Sequence, residues 1–235
     1  MHRTGGRRVM ADAVADLRED GHTDWREYGP LALPPILACA LDLIAERGYH
    51  ATSVRDLARR VGVTVPALYY HYENKQAILV ELLMGSMGSA LGRCRTAVAE
   101  AGHDPVDRFS ALVECVVLFM THRASLAILD TELRSLEPAN RERFVAARDE
   151  LEALMRRTVL EGVEAGDFTT PYPTDAGRAV LVMCQAVAQW YRPDGPLDAQ
   201  QVAERYVAIA LASVGHRSRP DAKRRPARSA ATAAR

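Results

Sequence analysis

Residues 52–72 read TSVRDLARRVGVTVPALYYHY, and their pattern predicts the fold of the N-terminal part of the chain. Ser53 stands three residues before Asp56, a spacing typical of a capping box at the start of a helix. It predicts a short helix over about 54–61. Thr64 has the side chain of an N-cap, and Pro66 fits best in a first helical turn. A second short helix is therefore predicted over about 65–70.

Two small residues favour a tight turn and a steep crossing between these helices. Gly62 tolerates the positive φ that a tight turn needs, and Ala58 is small enough for close helix contact. We expect Val63 to fill the space beneath the turn. Together with a preceding helix predicted at about Pro34–Arg47, these segments make a helix-turn-helix.

The outer face of the second short helix carries few long charged side chains, so the helix fits into a major groove of DNA. We expect its first residues to contact bases and its aromatic residues to donate hydrogen bonds to phosphates. The start of the preceding helix and Lys75 at the start of the next are expected to hold the DNA backbone. The predicted DNA-binding residues are Thr52, Ser53, Arg55, Thr64, Val65, Pro66, Ala67, Tyr69, Tyr70, His71 and Lys75.

The rest of the 235-residue chain keeps a helical spacing of apolar residues to about Val214. Further helices are predicted at about 75–100, 106–122, 125–133, 138–165, 174–190 and 199–214. The fold class is therefore all-α with about nine helices, in which a three-helix DNA-binding domain precedes a larger helical domain. We predict a largely disordered extension at 1–30, the DNA-binding domain at 31–82, the second domain at 83–215 and a basic, disordered tail at 216–235.

Composition argues against several other classes of protein. The formal net charge is +0, so any nucleic-acid site must be local. The four cysteines are far apart and have no paired histidines, which favours free thiols over a zinc site or disulfides. We find no apolar run of membrane-spanning length, no signal peptide and no catalytic motif. A cytoplasmic protein is predicted, without cofactor, metal, membrane partner or enzymatic activity.

The segment from about Ile36 to Leu83 closely resembles the DNA-binding domains of the TetR family, through TSVRDLA, GV, LYYHY and the pair Asn74-Lys75. The resemblance implies a homodimer joined by the eighth and ninth helices, with two recognition helices on a palindromic double-stranded operator. It also implies that the second domain is a ligand-binding and dimerisation domain, and that a small molecule bound there releases the protein from the operator. Val65 and Ala67 are apolar where relatives often carry polar residues, which favours readout of DNA shape or of thymine methyl groups.

A second resemblance concerns the effector. Residues 190–197, WYRPDGPL, are similar to a segment of TetR-type repressors of lipid and steroid catabolism in actinobacteria. The resemblance implies an acyl-CoA effector, and a small apolar or lipophilic compound, as in repressors of drug efflux, is the alternative. A constitutive regulator without effector is a third interpretation. The predicted ligand-binding residues are Cys115, Phe119, His122, Arg123, Met155, Gln189, Trp190 and Arg192.

The basic tail has two interpretations. Its arginines and lysine, which follow Gly215, would add salt-dependent affinity for any DNA sequence if they contacted phosphates. Alternatively, the tail only keeps the protein soluble.

Overall fold

The computed structural model describes residues 24–217, and every regular element in that range is a helix. The all-α fold class is therefore confirmed for the described part of the chain. The basic tail lies outside it except for His216 and Arg217. In chain order the elements are α1 Pro35–Arg47, α2 Val54–Val61, α3 Val65–His71, α4 Lys75–Glu100, α5 Pro105–His122, α6 Ala124–Ala127, a 3₁₀ helix Ile128–Ser135, α7 Pro138–Glu164, α8 Pro173–Gln185 with a short continuation Val187–Trp190, and α9 Ala199–Ser213.

The predicted starts of the short helices are confirmed by side-chain caps. The Ser53 hydroxyl accepts a hydrogen bond from the Asp56 backbone N–H at 3.1 Å, and the Asp56 carboxylate accepts one from the Ser53 backbone N–H at 3.3 Å. Thr64 caps α3 through the Ala67 N–H, and Asn74 caps α4 through the Ala77 N–H. Each cap satisfies a backbone donor that the helix itself leaves unpaired.

The predicted sixth helix differs from the observed structure. Only Ala124–Ala127 is α-helical, and the chain then tightens into the 3₁₀ helix Ile128–Ser135. Leu129 and Leu136 of this region are buried against the DNA-binding helices. Tertiary packing, rather than helical propensity, therefore sets the conformation here.

Two hydrophobic clusters form the interior. The first lies in the N-terminal part and includes Leu37, Leu57, Leu68 and Leu79. Apolar side chains from α6, the 3₁₀ helix and the start of α7 belong to the same cluster. The second cluster fills the space among α4, α5, α7, α8 and α9, which we call the effector domain. Because the first cluster is shared, the DNA-binding helices and the effector domain pack on each other directly.

The segment before α1 departs from the predicted disorder. Residues 1–23 lie outside the described part of the chain, but residues 24–30 pack on the effector domain. Trp25 is buried there, and Arg93 of α4 donates hydrogen bonds to the carbonyls of Trp25 and Glu27 at 3.0 and 2.9 Å. Buried aromatic surface and these hydrogen bonds offset the entropy lost by ordering the segment.

The helix α4 is long and apolar enough to cross a membrane by length and composition alone. Most of its apolar window, 72%, is buried inside the protein, where α4 packs along α5 and α7. A core helix of a globular fold meets the same test, and burial accounts for its apolar character.

Candidate DNA-binding surface and effector domain

The turn between α2 and α3 has the geometry that the sequence predicts. Gly62 adopts the left-handed conformation with φ 83° and ψ 28°. The backbone N–H groups of Gly62 and Val63 both donate to the carbonyl of Ala58, at 3.0 and 2.9 Å. A residue with a Cβ would be strained at Gly62. The prediction for Val63 is wrong, since its side chain is 38% exposed rather than packed beneath the turn.

One face of α3 is buried and the other is open. Leu68 is fully buried against the first cluster, and Tyr72 follows it into the core. Tyr70 on the outer face is 73% exposed, and its ring meets that of His71 edge to face with centroids 5.4 Å apart. The predicted contact residues that are exposed on this helix and its cap are Thr64, Pro66, Ala67, Tyr69, Tyr70 and His71, while Val65 is half-buried.

The cap leaves Thr64 with a hydrogen-bond donor. Its hydroxyl oxygen accepts from the Ala67 N–H at 3.2 Å, and the O–H proton stays available to an acceptor on DNA. The tyrosines supply two further exposed O–H donors, at Tyr69 and Tyr70. The open face of α3 therefore combines hydroxyl donors with small apolar groups.

Two residues predicted to hold the DNA backbone make hydrogen bonds inside the protein. Thr52 is buried, and its hydroxyl donates to the carbonyls of Gly48 and Leu43 at 3.0 and 3.3 Å. The Lys75 ammonium donates to the carbonyls of Tyr49 and Thr52 at 2.8 and 2.9 Å. It also lies over the Tyr49 ring, 4.0 Å from the centroid, and burial lowers the pKa of Lys75. The structure thus corrects the prediction for Thr52, whose side chain is buried, whereas a contact of the half-buried Lys75 with DNA stays a prediction.

The start of α2 keeps one exposed cation. Arg55 is exposed, whereas the Ser53 hydroxyl hydrogen bonds with the Asp56 carboxylate at 2.5 Å. This hydrogen bond lowers the pKa of Asp56, so the carboxylate is ionised at the helix start. An anionic phosphate would be repelled there by Asp56 and attracted by Arg55.

Hydrogen bonds connect the DNA-binding helices to the 3₁₀ helix. The Tyr49 backbone N–H donates to the Glu132 carboxylate at 3.0 Å, and the Ser135 hydroxyl meets His50 Nε2 at 2.9 Å. Gln76 of α4 accepts from the backbone at the start of α7 and from a side chain one turn further on. A movement of the 3₁₀ helix or of α7 would therefore reach α1 and α4. These residues were absent from our sequence analysis, because their partners lie far away along the chain.

The predicted ligand-binding residues fall into separate environments. Cys115 and Phe119 of α5 and Met155 of α7 are buried in the effector-domain core, where burial raises the pKa of the Cys115 thiol. Arg123, at the end of α5, is also buried and donates to the carbonyl of Gly29 at 3.2 Å. The neighbouring His122 stacks on Tyr28 with ring centroids 4.5 Å apart, and burial lowers the pKa of His122.

The other predicted ligand residues lie at the end of α8. Gln189 and Trp190 are exposed, and Trp190 stacks on Tyr206 of α9 with centroids 6.2 Å apart. The Arg192 guanidinium donates to the carbonyl of Tyr191 at 2.9 Å. The continuation Val187–Trp190 packs on α5 and α6, so this group lies at the same end of the domain as α6.

The structure adds residues that the sequence analysis missed. Arg93 of α4 is buried and contacts Tyr28, with its guanidinium 4.2 Å from the ring centroid. The signal in the sequence was a tryptophan and a tyrosine in an otherwise polar segment, at Trp25 and Tyr28. Among residues 24–217, no group of three His, Cys, Asp or Glu side chains is placed to hold a metal ion.

Comparisons with known proteins agree with this arrangement. Residues 36–82 match the family described as bacterial regulatory proteins, tetR family, and residues 102–214 match the tetracyclin repressor-like C-terminal domain. The HTH-type transcriptional repressor KstR2 of Mycobacterium tuberculosis is 32% identical over 182 residues, which are 76% of this chain and 90% of the relative.

Solved structures give the same result. The TetR family regulator PfmR of Thermus thermophilus is 34% identical with a TM-score of 0.68, over 75% of this chain and 97% of that one. A structure of AibR in complex with isovaleryl coenzyme A and operator DNA is 25% identical with a TM-score of 0.66, over 74% of this chain and 95% of that one. Members of the family are transcriptional regulators rather than enzymes, bind operator DNA and act as dimers. The chain belongs to the TetR family of bacterial transcriptional regulators.

Proposed function

We propose that this repressor binds a palindromic operator in the cytoplasm through α3 and is released from it by an acyl-CoA. The observation that carries the first part is the open face of α3, where Tyr70 is 73% exposed beside exposed Tyr69 and Thr64. Exposed aromatic rings cost solvation unless they have a partner, and hydroxyl groups on a short helix suit phosphates and base edges.

The side chains that remain open on α2 and α3 are proposed to contact different parts of the DNA. Thr64, Val65, Pro66 and Ala67, at the start of α3, face the bases. The hydroxyls of Tyr69 and Tyr70, together with His71, contact phosphates. Arg55 supplies the charged phosphate contact at α2, because Thr52 and Lys75 are used within the fold.

The dimer interface is proposed to use α8 and α9. Each helix buries one face against the effector-domain core and leaves apolar groups outside, with Val182 59% exposed and Ile209 50% exposed. Exposed apolar side chains on adjacent helices are typical of a self-complementary surface in a two-fold dimer. A dimer would place the two α3 helices on the two halves of the operator.

The effector is proposed from two relatives and from the chemistry of the domain. KstR2 is a repressor, and AibR was solved with isovaleryl coenzyme A and operator DNA. In this chain the end of α5 carries the buried Arg123 beside His122, next to an apolar core. An apolar interior with cationic groups at its edge suits an acyl chain that ends in an acidic group.

Release would occur by a population shift. A ligand that favours a different arrangement of α5 and α6 moves the 3₁₀ helix, whose Glu132 and Ser135 hold Tyr49 and His50. The two α3 helices then no longer match the spacing of the operator. Ligand and DNA weaken each other's binding by the same factor.

Selection from random duplex DNA tests the proposal. The full-length protein should enrich a palindrome, bind it as a dimer in analytical ultracentrifugation and lose affinity when an acyl-CoA is titrated. Release by lipophilic compounds but not by acyl-CoA would favour an efflux-type repressor, and enrichment with no effect of either would favour a constitutive regulator. Failure to enrich any sequence would contradict the DNA-binding part.

A further inference from the structure

The segment Trp25–Gly29, which we call the strap, lies across α4 and α5 of the effector domain. Trp25 is a member of the effector-domain cluster, and Tyr28 packs against it. On the outside, the Arg26 guanidinium pairs with Glu114 of α5 at 2.8 Å and lies 3.8 Å over the Trp25 ring. A surface groove of about 410 Å³ continues from Trp25 along α4 and α5. The strap is thus a peptide seated in a slot of the domain.

Two guanidinium groups converge on the strap. Arg93 and Arg123 are both buried, and their guanidiniums lie 4.2 and 5.1 Å from the centroid of the same Tyr28 ring. Both donate to strap carbonyls, Arg93 to Trp25 and Glu27 and Arg123 to Gly29. Two guanidiniums this close make a strong site for an anionic group, since charge-assisted hydrogen bonds are stronger than neutral ones.

The strap fits this slot imperfectly. The Trp25 Nε1 and Tyr28 hydroxyl groups are buried without a hydrogen-bond partner within residues 24–217. A buried donor left unpaired is destabilising, and departure of the strap to water would remove this penalty. The bound strap therefore carries the cost of these unpaired groups, and a ligand whose polar groups are all paired would not carry it.

The slot is apolar below the guanidiniums. Cys94 and Cys115 are fully buried near the Tyr28 hydroxyl, in the same cluster as Trp25. When the strap leaves, the aromatic side chains vacate an apolar space with Arg93 and Arg123 at its edge. This combination suits an acyl chain attached to a carboxylate or phosphate group.

We propose that the strap is a displaceable occupant of this slot, and that an anionic amphipath replaces it on Arg93 and Arg123. The proposal rests on the proposed function, for which it names the ligand-binding site. It also explains how ligand binding would reach the DNA-binding helices, because α1 begins five residues after the strap. A displaced strap would free the start of α1 from its connection to α4 and α5.

Hydrogen–deuterium exchange of the full-length protein tests displacement directly. The probes are palmitoyl-CoA, palmitate and free coenzyme A. We expect peptides that cover residues 24–34 to exchange faster when palmitoyl-CoA saturates the protein. Faster exchange with palmitate as well would assign the anion to a carboxylate, and faster exchange with free coenzyme A would assign it to the phosphates.

A strap variant tests competition. Trp25→Ala/Tyr28→Ala should bind the probes at least about tenfold more tightly than the wild type, since the closed strap lowers the fraction of protein that is competent to bind. Tyr172→Ala, which removes an exposed tyrosine before α8, is the matched control and should bind as the wild type does.

Three results would overturn the proposal: unchanged strap exchange at saturating probe, equal or weaker binding by the double variant, or no binding of any probe to either protein. The exchange experiment needs no variant, so it decides even if the double variant does not fold. If palmitoyl-CoA releases DNA but hydrogen–deuterium exchange in the strap does not change, only the proposed displacement of the strap is rejected. Failure of the protein to bind DNA at all would reject the proposed function.

Discussion

The helix-turn-helix and the strap are built in opposite ways. Contacts that define α2 and α3 join residues three to five apart, as in the Ser53 capping box and the bonds from Gly62 and Val63 to Ala58. Contacts that seat the strap join residues 66 to 94 apart. The helix-turn-helix keeps a polar and aromatic face open, whereas the strap covers two arginines. The molecule thus has an open surface on α3 and, in the effector domain, a site that its own strap already occupies.

The largest expected effect concerns the core of the helix-turn-helix. Leu57→Ala should lower the free energy of unfolding by about 2–5 kcal/mol, because Leu57 is fully buried and its loss leaves a cavity. Val63→Ala, in the same motif but exposed, should change it by less than about 0.5 kcal/mol. Urea unfolding of both variants measures the difference. Equal losses would mean that the turn is packed differently.

Close packing in the effector domain gives the next effect. A Cβ at Gly162 of α7 would clash with the Phe168 ring, which is itself packed edge to face on Phe109. Gly162→Ala should therefore destabilise the protein by about 1–3 kcal/mol.

Gly92 of α4 is the control, since nothing lies within 4 Å of its added Cβ. Gly92→Ala should stabilise the protein by up to about 1 kcal/mol through helix propensity. Thermal unfolding of the two variants in parallel gives the sign of each change. Stabilisation by both would contradict the close contact between α7 and the Phe168 ring.

The smallest effect is a change in the pH dependence of stability. Glu81 of α4 is buried among the DNA-binding helices near Tyr72, and burial raises its pKa above 4.5. The folded protein then holds a proton that the unfolded chain has released, so this contribution to stability is lost as pH rises through the folded pKa. Glu81→Gln should flatten that slope.

Glu73→Gln, an exposed change two residues after α3, makes the same substitution at the surface and is the control. Denaturant midpoints from pH 4 to pH 8 measure the slopes for all three proteins. Identical slopes for the wild type and Glu81→Gln would show that the carboxyl group titrates as it does in the unfolded chain.

Prediction from sequence succeeded where a local rule determines the structure. Ser53, Thr64 and Asn74 cap the helices as expected, and Gly62 forms the turn. It failed where a side chain has a choice of partners. The Thr52 hydroxyl donates to the carbonyls of Leu43 in α1 and of Gly48, and Lys75 donates to carbonyls of the loop between α1 and α2. Such bonds depend on how α1 lies against α4.

The strap shows the same limit at longer range. Trp25 and Tyr28 stand in a polar segment, and nothing nearby in the sequence identifies Arg93 or Arg123 as their partners. Burial of Cys115, Phe119 and Met155 followed from helical spacing, but spacing does not distinguish core residues from residues that line a ligand site. Their role in ligand binding stays a prediction.

The central claim is that the open face of α3 holds DNA. Tyr69→Phe/Tyr70→Phe removes only two hydroxyl groups from this face, and Tyr172→Phe removes one from an equally exposed tyrosine in the effector domain, 68% exposed against 73% for Tyr70. The affinity of each variant for the selected operator should be measured by fluorescence anisotropy at fixed salt. We predict a loss of about tenfold or more for the double variant, since a hydrogen bond to a charged group contributes about 1.5–3 kcal/mol, and no loss for Tyr172→Phe. Wild-type affinity in the double variant would contradict the claim.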